Sequence, residues 1–415
     1  MGVQLKNVTN QATSGEGSVM SSMRRNSRHA LLLAAFAATL ASCGGSGGNA
    51  TSSESGGAPA PVPVPAPSIS AVVGTLLHQQ TITVQGSHFG SKPQAAPLRF
   101  ENFDTRSTGA APASFGYTNY GGFGGSTTVD DTEAYGSGKS LKHQAHFGVV
   151  SPSGTVEESF PHIAVTGFGA TELYMSYRLK FRTNGSRIVQ LKFNRSGMEV
   201  AGANGSPCYG GKPKYYSSYY PDGPSVNRYS ADKRLTGVQG GTMRDDGSLD
   251  EGWVGEGASM GSGTVLALQE DTWVQVEEYY RLNDVGQANG EHVTWVNGNL
   301  QIDRHALQAR SSAAQVLNCS YLVVGMDYWI NPSSSDGISV WYDDHYLDTS
   351  RARLVLANAA NWNAATLRNP QAATQWQDGS ISAALQRGGF SAGTAWLYVV
   401  RADGSTSAGW QVTLP

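Results

Sequence analysis

The sequence predicts an all-β chain in which a larger β-sandwich interrupts a smaller one. Three observations predict it. Fifty-one glycines, 18 tyrosines and 9 tryptophans among 415 residues, with only 15% charged, describe a turn-rich, aromatic-rich β-protein. Apolar and polar residues alternate in one short segment after another, and no segment of useful length carries a helical period. A strand pattern near the beginning breaks off, and strands able to complete it come only near the end.

The beginning of the chain reads as an export signal. "MRRNSRHALLLAAFAATLASC" (Met23 to Cys43) has a basic start, an apolar middle too short to span a bilayer comfortably, and small residues before a cysteine. Its "LASC" end resembles the bacterial lipobox, which implies lipidation of Cys43 and, with Gly44 following, an outer-membrane or cell-surface anchor. An ordinary signal peptide with an incidental cysteine is the alternative. Residues 1–43 are therefore an upstream extension and signal. Residues 44–67, "GGSGGNATSSESGGAPAPVPVPAP", pass from flexible glycine/serine to stiffer proline alternation, the composition of a tether.

Residues 68–95 contain "SISAVVGTLLHQQTITVQGSHFGSK", two strands and a glycine turn. With Ile82, Val84, Gly86, Phe89 and Gly90 in place, this resembles the opening of an IPT/TIG domain, an immunoglobulin-like sandwich. Residues 351–415 supply later strands: "ARLVLANAANW" and a segment in which Leu397 and Val399 alternate with Tyr398 and Val400. The expected architecture is one small sandwich split in two, with residues 96–350 inserted in a loop; two separate small β-elements at either end are the alternative. Such insertion is cheap, since closure entropy grows slowly with length.

The insert reads as serial antiparallel strands. "TELYMSYRLKFRT" puts Leu173, Met175, Tyr177, Leu179 and Phe181 on one face and Glu172, Tyr174, Ser176, Arg178, Lys180 and Arg182 on the other. "RIVQLKFNR" splits into Val189, Leu191 and Phe193 against Gln190, Lys192 and Asn194. A long hairpin is expected from "WVQVEEYYRLND" and "GEHVTWVNGNLQID", and "YLVVGMDYW" and "GISVWYDDHYLD" complete a sheet. These strands predict a two-sheet jelly roll with one face on the core and the polar face in water. The pattern carried by Trp273, Glu277, Tyr279, Leu282, Asn283, Gly290, Trp295, Val296, Asn297 and Gly298 resembles the concanavalin-like jelly rolls of polysaccharide lyases, closest to the alginate and glucuronan type.

That resemblance implies β-elimination on an acidic, uronate-containing polysaccharide. The reaction needs a cationic or amide group at the carboxylate and a Tyr, His or Lys to move protons. Lys192 matches the position of a lysine such lyases carry on an inner strand. Tyr215 and Tyr219, in a loop "CYGGKPKYYSSYYPDG" with Tyr209, Tyr216 and Tyr220, and His292, sharing a face with Thr294, are the other candidates for proton transfer. Tyr174, Arg178, Gln190, Asn194 and Tyr216 are expected to bind substrate, with Arg178 beside Lys192 if their strands pair. A carbohydrate-binding or adhesion protein using the same groove is the competing reading, and a structural surface protein without a glycan ligand a third.

Other chemistry is weakly represented. The arginine-rich "R-T-E-L-R" strand, the "Q-I-H" triad and the "Y-F-K-x-G-x-Y" strand of common alginate lyases are absent from the sequence. Glu277 and Glu278 are expected on opposite faces, so they make no glycosidase pair. His143 and His146 are expected to share a face, but no third ligand completes a metal site. Asp343 and Asp344 are expected on opposite faces, one of them holding a loop or a structural calcium ion; no other cofactor is implied. Cys208 and Cys319, left after processing in an oxidising compartment, can form a disulfide or remain free. A net charge of −3 gives no global reason to bind nucleic acid or an anionic membrane.

Overall fold

A computed structural model describes residues 64–119, 125–136, 138–146, 149–150, 156–157, 162–184, 191–198, 212–220, 234–235, 237–255, 264, 266–326 and 337–415. The signal, Cys43 and most of the tether lie outside them. The described residues form strands and two short 3-10 turns, with no α-helix. The fold class is the predicted one, a jelly-roll sandwich inserted in a smaller immunoglobulin-like sandwich.

The small sandwich is built from both ends of this region. Strand Thr81–Ser87 pairs with Ser68–Gly74 on one side and with Ser380–Ala384 on the other, Val84 opposite Ile381. Ala373–Gln377 completes that sheet. The facing sheet runs Arg368–Gln371, Arg353–Ala357, Gly393–Val400, Trp410–Leu414. Ile82, Val84, Phe89, Leu354, Leu356, Ile381, Leu397 and Val399 form one shared core. Burying such side chains contributes about 1.5–3 kcal/mol each, so neither end has reason to fold without the other.

The inserted sandwich has two sheets. One runs Asn299–Leu307, Gly290–Val296, Val274–Arg281, Glu172–Asn184, Gly337–Asp348, Ser140–His146, Ser126–Asp130, with Arg99–Glu101 added against Gly337–Asp348. The other runs Leu249–Gly255, Gly237–Met243, Lys214–Tyr220, Leu191–Gly197, Leu317–Met326, His162–Ala170, Thr118–Asn119. Between them lie Leu173, Met175, Tyr177, Leu179 and Phe181, the apolar face read from alternation, packed on Phe193, Tyr215, Leu317 and Leu322. The predicted hairpin is present, Val274–Arg281 pairing with Gly290–Val296, and the second segment folds back once more: Asn297 and Gly298 turn into Asn299–Leu307 with φ of 48° and 72°, and a Cβ on Gly298 would collide with the Ala365 carbonyl, so only glycine fits.

One expectation fails. The polar face of the Glu172–Asn184 strand is not a water-filled groove, because the small sandwich is packed against part of it. Tyr174 and Arg178 are 0% and 3% exposed. Tyr174 donates to Glu277 Oε1 at 2.7 Å and lies under the Arg353 guanidinium, 3.9 Å from ring centroid to Cζ. Glu277 also faces Arg353 at 3.6 Å and Arg368 at 3.8 Å. Gln275 donates to Ser176 Oγ and to the Arg368 carbonyl, and accepts from the Arg368 amide. A second tie is the buried Lys92–Asp348 pair at 2.6 Å, with Tyr346 donating to the same carboxylate.

Candidate functional site

The candidate residues do not form one constellation. Arg178 cannot neighbour Lys192: their strands belong to different sheets and pair with different partners. Asn194 fails as a substrate contact for a local reason. A register shift between Lys192 and Asn194 marks a bulge, and beyond it Asn194 and Ser196 point into the core. Asn194 donates to the Tyr177 hydroxyl at 2.9 Å and accepts from the Tyr280 hydroxyl at 3.1 Å, tying the two sheets together from inside.

Tyr215 and His292 are also core residues. The segment read as a tyrosine loop contains the strand Lys214–Tyr220, which places Tyr215 inward, stacked on Tyr280 at 4.9 Å, its hydroxyl donating to the Arg281 carbonyl. Burial pushes its phenol far above the ordinary range. His292 is 0% exposed, edge-on to Tyr280 and Tyr215, and burial holds its pKa down to about 3, so the ring is neutral at any working pH. Neither meets a polysaccharide.

His143 and His146 are three residues apart on a strand and so face opposite ways; His143 is buried against Tyr342 and Thr127, while His146 is half-buried. Asp343 and Asp344, expected on opposite faces, line one cavity together, because Asp344 has a φ of 47° and interrupts the alternation. No group of three His, Cys, Asp or Glu that could share a metal ion is found among the described residues. Glu277 and Glu278 do separate. Cys319 is disulfide-bonded; Cys208, like Gln190 and Tyr209, lies outside the described residues.

What remains around Lys192 is given by strand register alone; the side chains of Lys192, Arg195, Tyr216, Tyr219, Gln239, Glu251 and Trp253 are outside the described set. Lys192 stands between Gly325 and Ser218, and the row continues through Gln239 to Trp253. The neighbouring row reads Ala164, Tyr321, Arg195, Tyr216, Gly241, Glu251. Tyr321 sits between Ser320 and Leu322, which contact the core, and its ring packs on His162 at 5.5 Å on the other face. Tyr219 stands opposite Leu191, outside these rows. Sequence reading missed Arg195, Gln239 and Trp253. The available signal covered only part of this: Gly237–Met243 and Leu249–Gly255 are consecutive strands, so hairpin pairing aligns Gln239 with Trp253.

No protein-family model matches the chain, and no curated protein matches it. Among solved structures it is similar to an endo-β-1,4-glucuronan lyase from the fungus Trichoderma reesei, at 10% identity over 55% of this chain and 88% of that one, TM-score 0.40. It is similar to an alginate lyase from a Chlorella virus, at 10% identity over 59% and 98%, TM-score 0.38. A botulinum neurotoxin serotype C1 binding domain is similar at 9% identity over 61% and 48%, TM-score 0.34. Likeness this remote leaves the assignment of the site to this chain's own residues.

Proposed function

We propose that the chain binds an acidic polysaccharide along the outer face of the sheet that carries Lys192 and cleaves it by β-elimination. The observation that supports this reading is the pair of register rows, which brings a lysine, an arginine, a glutamine, a tyrosine and a tryptophan together on adjacent strands. Arg195 and Gln239 take the role first expected of Arg178, countering the uronate carboxylate as negative charge builds on it. Lys192 removes the C5 proton; the electron pair forms the C4–C5 double bond; the C4–O bond breaks, and the Tyr216 phenol protonates the leaving oxygen. Lys192 and Tyr216 lie on neighbouring strands, on the order of 7 Å apart, a span one sugar ring bridges. Trp253 gives a ring on which a further sugar stacks.

A second reading, binding without cleavage, is favoured by one observation: Tyr215 and His292, two of the four residues expected to transfer protons, are in the core. Incubation with alginate, glucuronan, pectate and glycosaminoglycans separates the two. Ultraviolet absorbance from an unsaturated uronate product supports cleavage; retention on a polymer without product supports binding; neither result overturns both.

The same proposal takes the small sandwich as an IPT/TIG domain, the Met23 to Cys43 segment as a lipoprotein signal with Cys43 lipidated, and the location as the outer membrane or cell surface. Radiolabelled palmitate incorporation that disappears in Cys43→Ala tests the anchor.

A further inference from the structure

A cavity of about 280 Å³ lies where the two sandwiches meet, apart from the Lys192 sheet face. Three of its lining residues are carboxylates, Asp104, Asp343 and Asp344, and they are not equally served. Asp343 accepts from the amides of Tyr135 and Asp344 at 2.9 and 2.8 Å. Asp104 accepts from Asn102 Nδ2 and the Lys139 amide at 3.0 and 3.1 Å. Asp344 is only 8% exposed, yet its Oδ2 has no hydrogen-bond partner. The nearest guanidinium nitrogen, Arg178 Nε, is 3.8 Å away, beyond hydrogen-bond reach. An orphaned buried carboxylate oxygen is costly, so its retention calls for a donor.

The cavity walls say what kind of donor. Burial and the neighbouring Asp344 push Asp343 upward, and burial outweighs the opposing charges of Arg178 and His78 at Asp344 and of His78 and Lys139 at Asp104 to do the same there, so a ligand bringing positive charge gains more than a neutral one. Arg387, from the small sandwich, spends its guanidinium on the carbonyls of Pro415 and Phe390. Among the described residues no three carboxylate, histidine or cysteine side chains converge as metal ligands, and calcium serves as the control. Tyr135 and Phe390 offer ring surface to a carbon skeleton. Gly388 keeps the approach open, since a Cβ there would stand 2.8 Å from Asp344 Oδ2.

We propose that this joint binds a small organic cation of about monosaccharide size, whose primary ammonium donates to Asp344 Oδ2. The test is calorimetric titration of the full chain with glucosamine, with glucose as the uncharged twin and calcium chloride as the metal alone. Glucosamine is expected to bind at least roughly tenfold more tightly than glucose, and Asp344→Asn to weaken it by a similar factor. Equal binding of the two sugars, binding by neither, stabilisation by calcium without glucosamine, or undiminished glucosamine binding by folded Asp344→Asn each overturns the proposal. Should Asp344→Asn fail to fold, the comparison of glucosamine with glucose on the parent chain decides alone.

Discussion

Glu277 and Arg353 face each other across the joint between the two sandwiches, carboxylate to guanidinium at 3.6 Å, with 1% and 4% of their side chains exposed. Each would be a poor residue to bury alone. Arg353→Ala leaves Glu277 with Tyr174 and a distant Arg368, and is expected to cost about 3–5 kcal/mol in urea unfolding. A double-mutant cycle with Glu277→Gln should show strong coupling; additive effects would mean that the two charges do not see each other.

Three buried imidazoles should each withdraw stability as the solution is acidified from neutrality. His143, His292 and His345 are buried, and burial holds each pKa down to about 3, against about 6.5 in the unfolded chain. Their contribution is complete above about pH 6.5 and is lost as pH falls toward 3, because only the unfolded chain takes up the protons. The raised carboxylates Asp104, Asp343, Asp344, Asp348 and Glu172 act in the opposite sense. His292→Gln isolates one imidazole: between about pH 6 and pH 5 the parent should lose about 1 kcal/mol more than the variant. Equal losses would show that His292 titrates normally.

Adjacent tyrosines should behave oppositely. Tyr215→Phe removes one hydrogen bond inside the core and is expected to cost about 1 kcal/mol with cleavage retained. Tyr216→Phe should leave stability alone and lower turnover by about 10²–10⁴. A reversed pattern in turnover assays would move the proton donor into the core.

The interior is held by more than apolar contact. Asn194→Leu leaves the Tyr177 and Tyr280 hydroxyls without the amide between them and should destabilise by about 2 kcal/mol, read by urea unfolding. Adding Tyr177→Phe and Tyr280→Phe should recover part of that loss; further destabilisation would contradict the network.

Much of the fold was legible because alternation reports one thing well, which residues share a face. Leu173, Met175, Tyr177, Leu179 and Phe181 were read together and lie together. Alternation does not report what the second face meets. Tyr174 and Arg178 read as solvent-facing, but Arg353 of the small sandwich covers Tyr174 and Arg178 lies against the Tyr135 ring. Single residues that break the period were equally silent: the bulge before Asn194 and the left-handed Asp344 each turned a side chain to the unexpected side. The opposition of His143 and His146 was there to be read, since three is an odd number of strand steps. Arg195 and Trp253 were missed because a row across a sheet is assembled by register, which no single strand contains.

Lys192→Ala, assayed for both cleavage of and retention on the uronate polymer, is the decisive variant. Proton abstraction by Lys192 requires that the variant fold, still bind the chain of sugars and release no unsaturated uronate. Undiminished release by that variant would contradict it.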